Sequence, residues 1–305
     1  MEEYSVKGIR KKFKEQGVFY TDQRLAKFIA SFLPDGITEV YDPTCGSGNL
    51  LSVFPDDVKK YGQEIDATQA EEARHRLVNC EIAVGDTLEQ PAFMDRKFKG
   101  IVANPPFSIK WQPPMLLDGR FSTAPVFPPP GKADYAFILH ILYYLDEGGV
   151  ASVLNFPGVL YRGNREYTLR KWIVERNLID SVTLVDGGYF EDTTISTALI
   201  VFKKGRRDGD KIRFATFPDG KETTVSLDDV REQDYNLSPS AYIEDDAQDP
   251  FADFDPVAAE LLARKHLVEK LRKELTFSRF VAEQEGLPLQ PLLDELQEVI
   301  KEFTK

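Results

Sequence analysis

Two short strings in this sequence hold residue types that polar chemistry needs. One is Asn104-Pro105-Pro106-Phe107 and the other is Asp42-Pro43-Thr44-Cys45-Gly46-Ser47-Gly48. In the first, the Asn104 side-chain carbonyl and the Pro105 backbone carbonyl offer two acceptors for the protons of a single amine. An amine conjugated with an aromatic ring is a poor nucleophile, because its lone pair is delocalised. Two acceptors on its protons help it become tetrahedral and aim the lone pair at an electrophile. Prearranged acceptors of this kind need no strong general base. Pro105 and Pro106 stiffen the loop and hold Asn104 extended. Phe107 offers a flat face for an aromatic ring, with plain core packing as the alternative.

The second string is built to approach a small molecule. Gly46 and Gly48 let the backbone turn tightly. The residues before it read as a strand and those after it, 48–54, as the start of a helix whose free N–H groups face the ligand. A dinucleotide loop would carry a third glycine and keep clear of acids for the pyrophosphate. Here Asn49-Leu50-Leu51 follows Gly48 and the loop opens with Asp42, which suits an ammonium group such as that of methionine. Glu64 ends the next strand, with Ile65 after it. An acid there accepts from ribose hydroxyls, and Asp66 is a competing candidate. After the third strand, Asp86 and Thr87 stand where a carboxylate meets the amine of a purine; a simple turn aspartate is the alternative.

The elements that must position these strings alternate. Residues 37–43, 59–65, 80–86, 98–107 and 148–157 read as strands, with 180–187 and 196–204 as two more, and 211–217 as a further candidate. Between them, 22–33, 67–79, 133–145 and 164–177 read as helices, the third strongly amphipathic. This implies an α/β fold with a mostly parallel sheet and helices on both faces. Residues 108–131 form a Pro-rich insertion, and a loop of that length is functional or mobile. Its Lys110, Trp111, Arg120 and Phe121 either close over a bound ring or touch phosphate, or belong to a disordered surface loop. Arg162, Arg165 and Arg170 either contact nucleic acid or face solvent, with solvent the favoured reading for Arg170. Residues 228–243 read as turns. From Pro256 a helix carries Val257, Leu261, Val268, Leu271 and Leu275 at coiled-coil-like steps. A second helix carries Leu292, Leu296, Ile300 and Phe303. These helices either fold back on the domain or dock a partner subunit.

The pair of strings resembles the signature of the N6-adenine DNA methyltransferases. Residues 133–145, 158–180 and 190–204, with Tyr235–Ile243, resemble the modification subunit of type I restriction-modification systems, over roughly residues 15–245. The resemblance implies a Rossmann-like S-adenosylmethionine-dependent methyltransferase domain at 1–245, followed by a C-terminal helical extension at 246–305. It implies S-adenosyl-L-methionine as cofactor and transfer of its methyl group to the N6 amine of adenine in DNA. Asn104, Pro105, Pro106 and Phe107 would be catalytic, with Phe107 stacking on a base flipped from the duplex. Tyr20, Thr21, Asp42, Thr44, Gly46, Ser47, Gly48, Glu64, Ile65, Asp86, Thr87 and Asn104 would hold the cofactor. Two departures stand out: Asp22 where the family has proline after threonine, and Asn49 where it has glycine. The helical domain that precedes the methylase fold in the family is expected to be missing.

Over 305 residues the formal net charge is -12. A protein that holds DNA unaided carries a basic surface, because phosphate neutralisation dominates affinity. A local basic groove or a basic partner must therefore supply it. Lys7, Arg10, Lys11, Lys12 and Lys14 form a phosphate-contacting edge or a solvated helix face. The acidic stretch after Tyr242 implies that specificity lies elsewhere, and the resemblance supplies the candidate, a separate specificity subunit, with a restriction subunit as a further partner. Two cysteines and three histidines make a disulfide framework or a zinc site improbable. No signal-like or membrane-spanning stretch is evident, so the expected location is cytoplasmic. Two alternatives stay open: a methyltransferase for the amide of protein glutamine, and a non-catalytic assembly protein that keeps the fold.

Overall fold

The structure, a computed structural model, describes residues 23–114, 118–187, 196–243 and Gln290. The chain divides into two compact units, Met1–Glu244 and Asp245–Lys305. Tyr20, Thr21, the basic cluster at 7–14 and the C-terminal helices lie outside the described residues.

The described part of the first unit is organised around a nine-stranded sheet. In chain order the strands are β1 (Glu39–Asp42), β2 (Lys59–Glu64), β3 (Cys80–Val84), β4 (Phe98–Ala103), β5 (Leu145–Asn155), β6 (Ile179–Val185), β7 (Thr197–Lys203), β8 (Ile212–Phe217) and β9 (Glu222–Val225). Their spatial order is β3-β2-β1-β4-β5-β7-β6-β8-β9. From β3 to β5 every neighbouring pair is parallel. Strand β7 then inserts antiparallel between β5 and β6, β8 is parallel to β6, and β9 closes a hairpin on β8. The candidate strand at 211–217 is thus real, and β9 is an addition.

Side chains alternate across each strand, so the sheet separates two apolar layers. Tyr41, Ile101, Val153 and Ile200 face one layer. Val40, Val102, Leu154 and Leu199 face the other. The first layer is covered by α3 (Asp134–Tyr144) and α4 (Asn164–Glu175), the second by α1 (Gln23–Ala30) and α2 (Ala67–Arg76). Buried strands covered on both faces read as continuous apolar runs, as 101–103 does. Helix α2 starts where Asp66 accepts from the Thr68 and Gln69 amides. No helix among the described residues is long and apolar enough to cross a membrane.

Three expectations are corrected. Residues 48–54 do not open an α-helix; only a 3-10 turn forms at Leu51–Val53. Gly48 sits at φ +81° and Pro55 follows about two turns later, which leaves little room for helical hydrogen bonding to propagate. Helix α3 is not amphipathic in practice: every residue but Tyr143 is buried. The segment after the Asn-Pro-Pro-Phe turn covers its outer side, with Trp111 and Phe121 in the same layer as Phe137. Finally, the turn-rich stretch contains α5 (Leu227–Glu232), started by a reciprocal Ser226–Asp229 capping box.

Candidate active site

Strands β1 and β4 are neighbours, yet the chain leaves β1 toward β2 and β3 on one side and β4 toward β5 on the other. In parallel sheets ligands bind at such a reversal, beyond the carboxyl ends of the strands. Asp42 is the last residue of β1 and Asn104 follows the last residue of β4, with Tyr41 in register with Ile101. A cleft of about 1310 Å³ opens there. Thr44, Gly46, Glu64, Ile65, Asp86, Thr87, Asn104 and Pro106 line it. Asp42, Ser47 and Gly48 sit behind this lining, all three buried.

On one side the loop after β1 is bound to the end of β2. Glu64 accepts from the Gly46 amide at 2.8 Å and from the Asp66 amide at 2.9 Å. A carboxylate has about four acceptor positions, so two remain for ligand hydroxyls. The Cys45 amide donates to the Gln63 carbonyl at 3.0 Å. Gly46 and Gly48 are both left-handed, at φ +53° and +81°. A Cβ on Gly48 would also come within 2.9 Å of Leu77 Cδ1. Asp42 is 1% exposed and accepts from the Thr44 amide at 2.9 Å. Burial pushes its carboxyl up to about 7, opposed by the Thr44 amide and reinforced by the nearby Glu64 charge. Asp86 accepts from the Leu88 amide at 2.8 Å and so shapes its own turn. Ile65 is exposed at the lip and offers an apolar surface.

On the other side, Asn104 and Pro106 reach the cleft, whereas Pro105 is buried. Phe107 is half-buried against the second apolar layer, so the structure does not place it on the cleft wall. The turn ends at Ser108, at φ +53°, a conformation unfavourable for a residue with a Cβ. Asp134 compensates: its Oδ1 accepts from the Ser108 amide at 3.1 Å and its Oδ2 from the Ser108 hydroxyl at 3.4 Å. Arg162 lies 3.7 Å from Asp134 and 3.3 Å from Glu166. Sequence reading missed Asp134, although a lone acid opening an otherwise apolar helix was a visible signal. It also missed Gln63, whose buried amide accepts from Thr87 Oγ1 and the Ala92 amide and donates to the carbonyls of Gly85 and Gln90.

The reading of 108–131 as a disordered surface loop fails for the residues described. Trp111, Arg120 and Phe121 are buried, and only Lys110 of the four named residues is exposed. Arg170 is also buried rather than solvent-facing; it donates to the carbonyls of Tyr235, Val159 and Arg162. A guanidinium can tie separate backbone segments together this way, and these hydrogen bonds offset the cost of burying it.

The charge pattern decides what the cleft fits. Among the described residues, Glu64, Asp66, Glu72, Asp86 and Glu89 line it, against Lys110 as the single cationic one. A pyrophosphate would be repelled; a cationic donor with a ribose and a purine is matched by Glu64, Ile65 and Asp86. The residues present therefore fit S-adenosylmethionine and disfavour a nicotinamide dinucleotide.

Comparison with known proteins gives the same answer. The family model described as N-6 DNA Methylase matches residues 2–224. The chain is 31% identical over 295 residues to the type I restriction enzyme MpnII methylase subunit of Mycoplasma pneumoniae, covering 77% of this chain and 54% of that protein. It is 29% identical over 214 residues to the MjaIX methylase subunit of Methanocaldococcus jannaschii, covering 63% and 38%. Among solved structures, the type I restriction-modification system methyltransferase subunit from Streptococcus thermophilus superposes with a TM-score of 0.67 at 31% identity, covering 74% of this chain and 59% of that one. The chain thus spans roughly half the length of the relatives it matches.

Proposed function

This chain belongs to the N-6 DNA methylase family and has its Rossmann-like methyltransferase fold, and from that premise we propose that it transfers a methyl group from S-adenosylmethionine to the N6 amine of adenine in DNA, as the modification subunit of a type I-like system. The observation that carries this reading is the placement of Asn104, at the end of β4, across one acid-lined cleft from the Gly46 loop and Glu64. S-adenosylmethionine supplies an electrophilic methyl on a sulfonium. The protein's part is to bind that donor and to prepare the amine. Asp42 neutralises the donor's ammonium end, Glu64 accepts from its ribose, and Ile65 and Asp86 hold its purine. Tyr20 and Thr21 belong to the same donor site by resemblance.

The Asn104 side-chain carbonyl and the Pro105 carbonyl accept the two amine protons, which moves electron density from the ring to nitrogen. Burial of Pro105 and the Asp134–Ser108 hydrogen bonds keep the turn in one shape. An adenine must leave its duplex to reach such a cleft, and Phe107 is the proposed stacking partner once the turn engages DNA.

Target selection is assigned to a separate specificity subunit, with the unit at 245–305 as its docking element and a restriction subunit as a further component. A cytoplasmic location follows from this role. The test is incubation with methyl-labelled S-adenosylmethionine and unmethylated genomic DNA, with and without a candidate specificity subunit, followed by nucleoside analysis. Label in N6-methyladenine is expected. Label in glutamine of added protein, with none in DNA, would favour the amide-methylating alternative, and failure to bind the donor would favour the non-catalytic one.

A further inference from the structure

The residues after the Asn-Pro-Pro-Phe turn return to the opposite wall of the cleft through one side chain. Arg120 is 3% exposed. Its Nη1 donates to the Thr87 carbonyl at 2.7 Å and its Nη2 to the Leu88 carbonyl at 2.6 Å. These carbonyls directly follow Asp86, the proposed purine ligand. Asp118 receives the other edge of the guanidinium, with Nε 3.0 Å from Oδ1 and Nη2 2.7 Å from Oδ2. The remaining partner is His140 on α3, whose Nδ1 lies 3.0 Å from Arg120 Nη1. A guanidinium only donates, so Nδ1 is the acceptor. The ring proton then sits on Nε2 and is donated to Tyr41 Oη, 3.1 Å away on β1. Burial and the adjacent cation hold His140 neutral, as this arrangement requires.

We infer that Arg120 is a positioning residue that couples the two walls of the cleft, fixing the Thr87–Leu88 backbone that presents Asp86 to the donor while anchoring the segment that follows the acceptor turn. Every donor of the guanidinium is spent on a backbone carbonyl or a side chain from the insertion, the β3–β4 loop or α3. A lysine at 120 retains the charge opposite Asp118. It offers a single ammonium where two carbonyls need parallel donors, so it cannot reproduce the clamp. The coupling is reciprocal: whatever orders the donor loop also orders the insertion. The sequence has two tryptophans, and Trp111 belongs to that insertion, its ring 5.2 Å from that of Phe121. With Trp172→Phe in place, Trp111 emission reports the insertion alone.

The inference rests on the methyltransferase reading, and the experiment separates the two. S-adenosylmethionine is titrated calorimetrically into the full chain, wild type, Arg120→Lys and Arg120→Met, each also carrying Trp172→Phe for fluorescence. Both variants should bind about tenfold or more weakly, the size expected for a lost charge-assisted hydrogen bond, and the donor-dependent change in Trp111 emission should disappear. A merely structural role would lower the fraction of binding-competent molecules and leave the Kd of the remainder unchanged; that result overturns the inference. If Arg120→Met does not fold, Arg120→Lys decides. Wild-type binding matched by both variants refutes the coupling alone, and a wild-type chain that binds no donor refutes the methyltransferase reading and the coupling with it.

Discussion

Asp42 is a carboxylate held where charge is costly, and its titration should be visible in both stability and binding. Its folded pKa, about 7, stands above the ordinary carboxylate value. The protonated form is therefore favoured by the fold, and the stability it contributes is lost as pH rises through about 7. Donor affinity runs the opposite way, because an ammonium group stabilises the ionised form. Binding of S-adenosylmethionine should tighten about five- to tenfold between pH 6 and 7.5, and Asp42→Asn should flatten that slope. A wild-type Kd independent of pH, by calorimetry, would remove Asp42 from the donor site. Asp42, Glu64 and Asn104 were legible in the sequence because each sits at the end of a strand beside a distinctive string. The partners of Asp134, Gln63 and Arg120 were not, even though Asp134 stands out as a lone acid opening an apolar helix, since these side chains act on backbone groups 26 to 33 positions away, and spacing along the chain carries no trace of such contacts.

The donor loop depends on its glycines as an element rather than as isolated residues. Gly48 combines a left-handed φ with a side chain 2.9 Å from where its Cβ would stand. Gly48→Ala should cost about 1–3 kcal/mol and weaken donor binding, because strain there shifts the Gly46 amide off Glu64. Ser226→Ala is the matching control. Loss of the α5 cap should cost about 1 kcal/mol with no change in donor Kd, both read by denaturant titration and calorimetry. The central strands were readable because their buried stretches, such as 101–103 in β4, are continuous apolar runs, whereas β9 is largely polar and was not. Two helices were misread for physical reasons. Periodicity could not reveal that Pro55 cuts the helix after the loop short. Nor could it show that Trp111, Phe121 and their described neighbours cover the face of α3 that an amphipathic helix would give to water.

For the whole molecule the governing quantity is charge. A chain of net charge -12, with five carboxylates among the described residues of its cleft, repels a polyanion on balance, so local cations such as Lys110 must supply any attraction. The chain alone should bind duplex DNA only in the non-specific range, about 10⁻⁴–10⁻⁶ M, with affinity falling steeply as salt rises; a specificity subunit should tighten it and impose sequence preference. Tight, sequence-selective binding by the isolated chain in fluorescence anisotropy would place recognition within these 305 residues instead.

Beneath all of these lies the claim that the turn at 104–107 activates an aromatic amine beside a bound methyl donor. Asn104→Ala, assayed in the same assembly as wild type, addresses it directly. Donor Kd should stay within about threefold while the single-turnover rate of methyl transfer to adenine drops about 10²–10³-fold, the loss typical of one missing transition-state hydrogen-bond partner. Transfer at the wild-type rate would contradict the account.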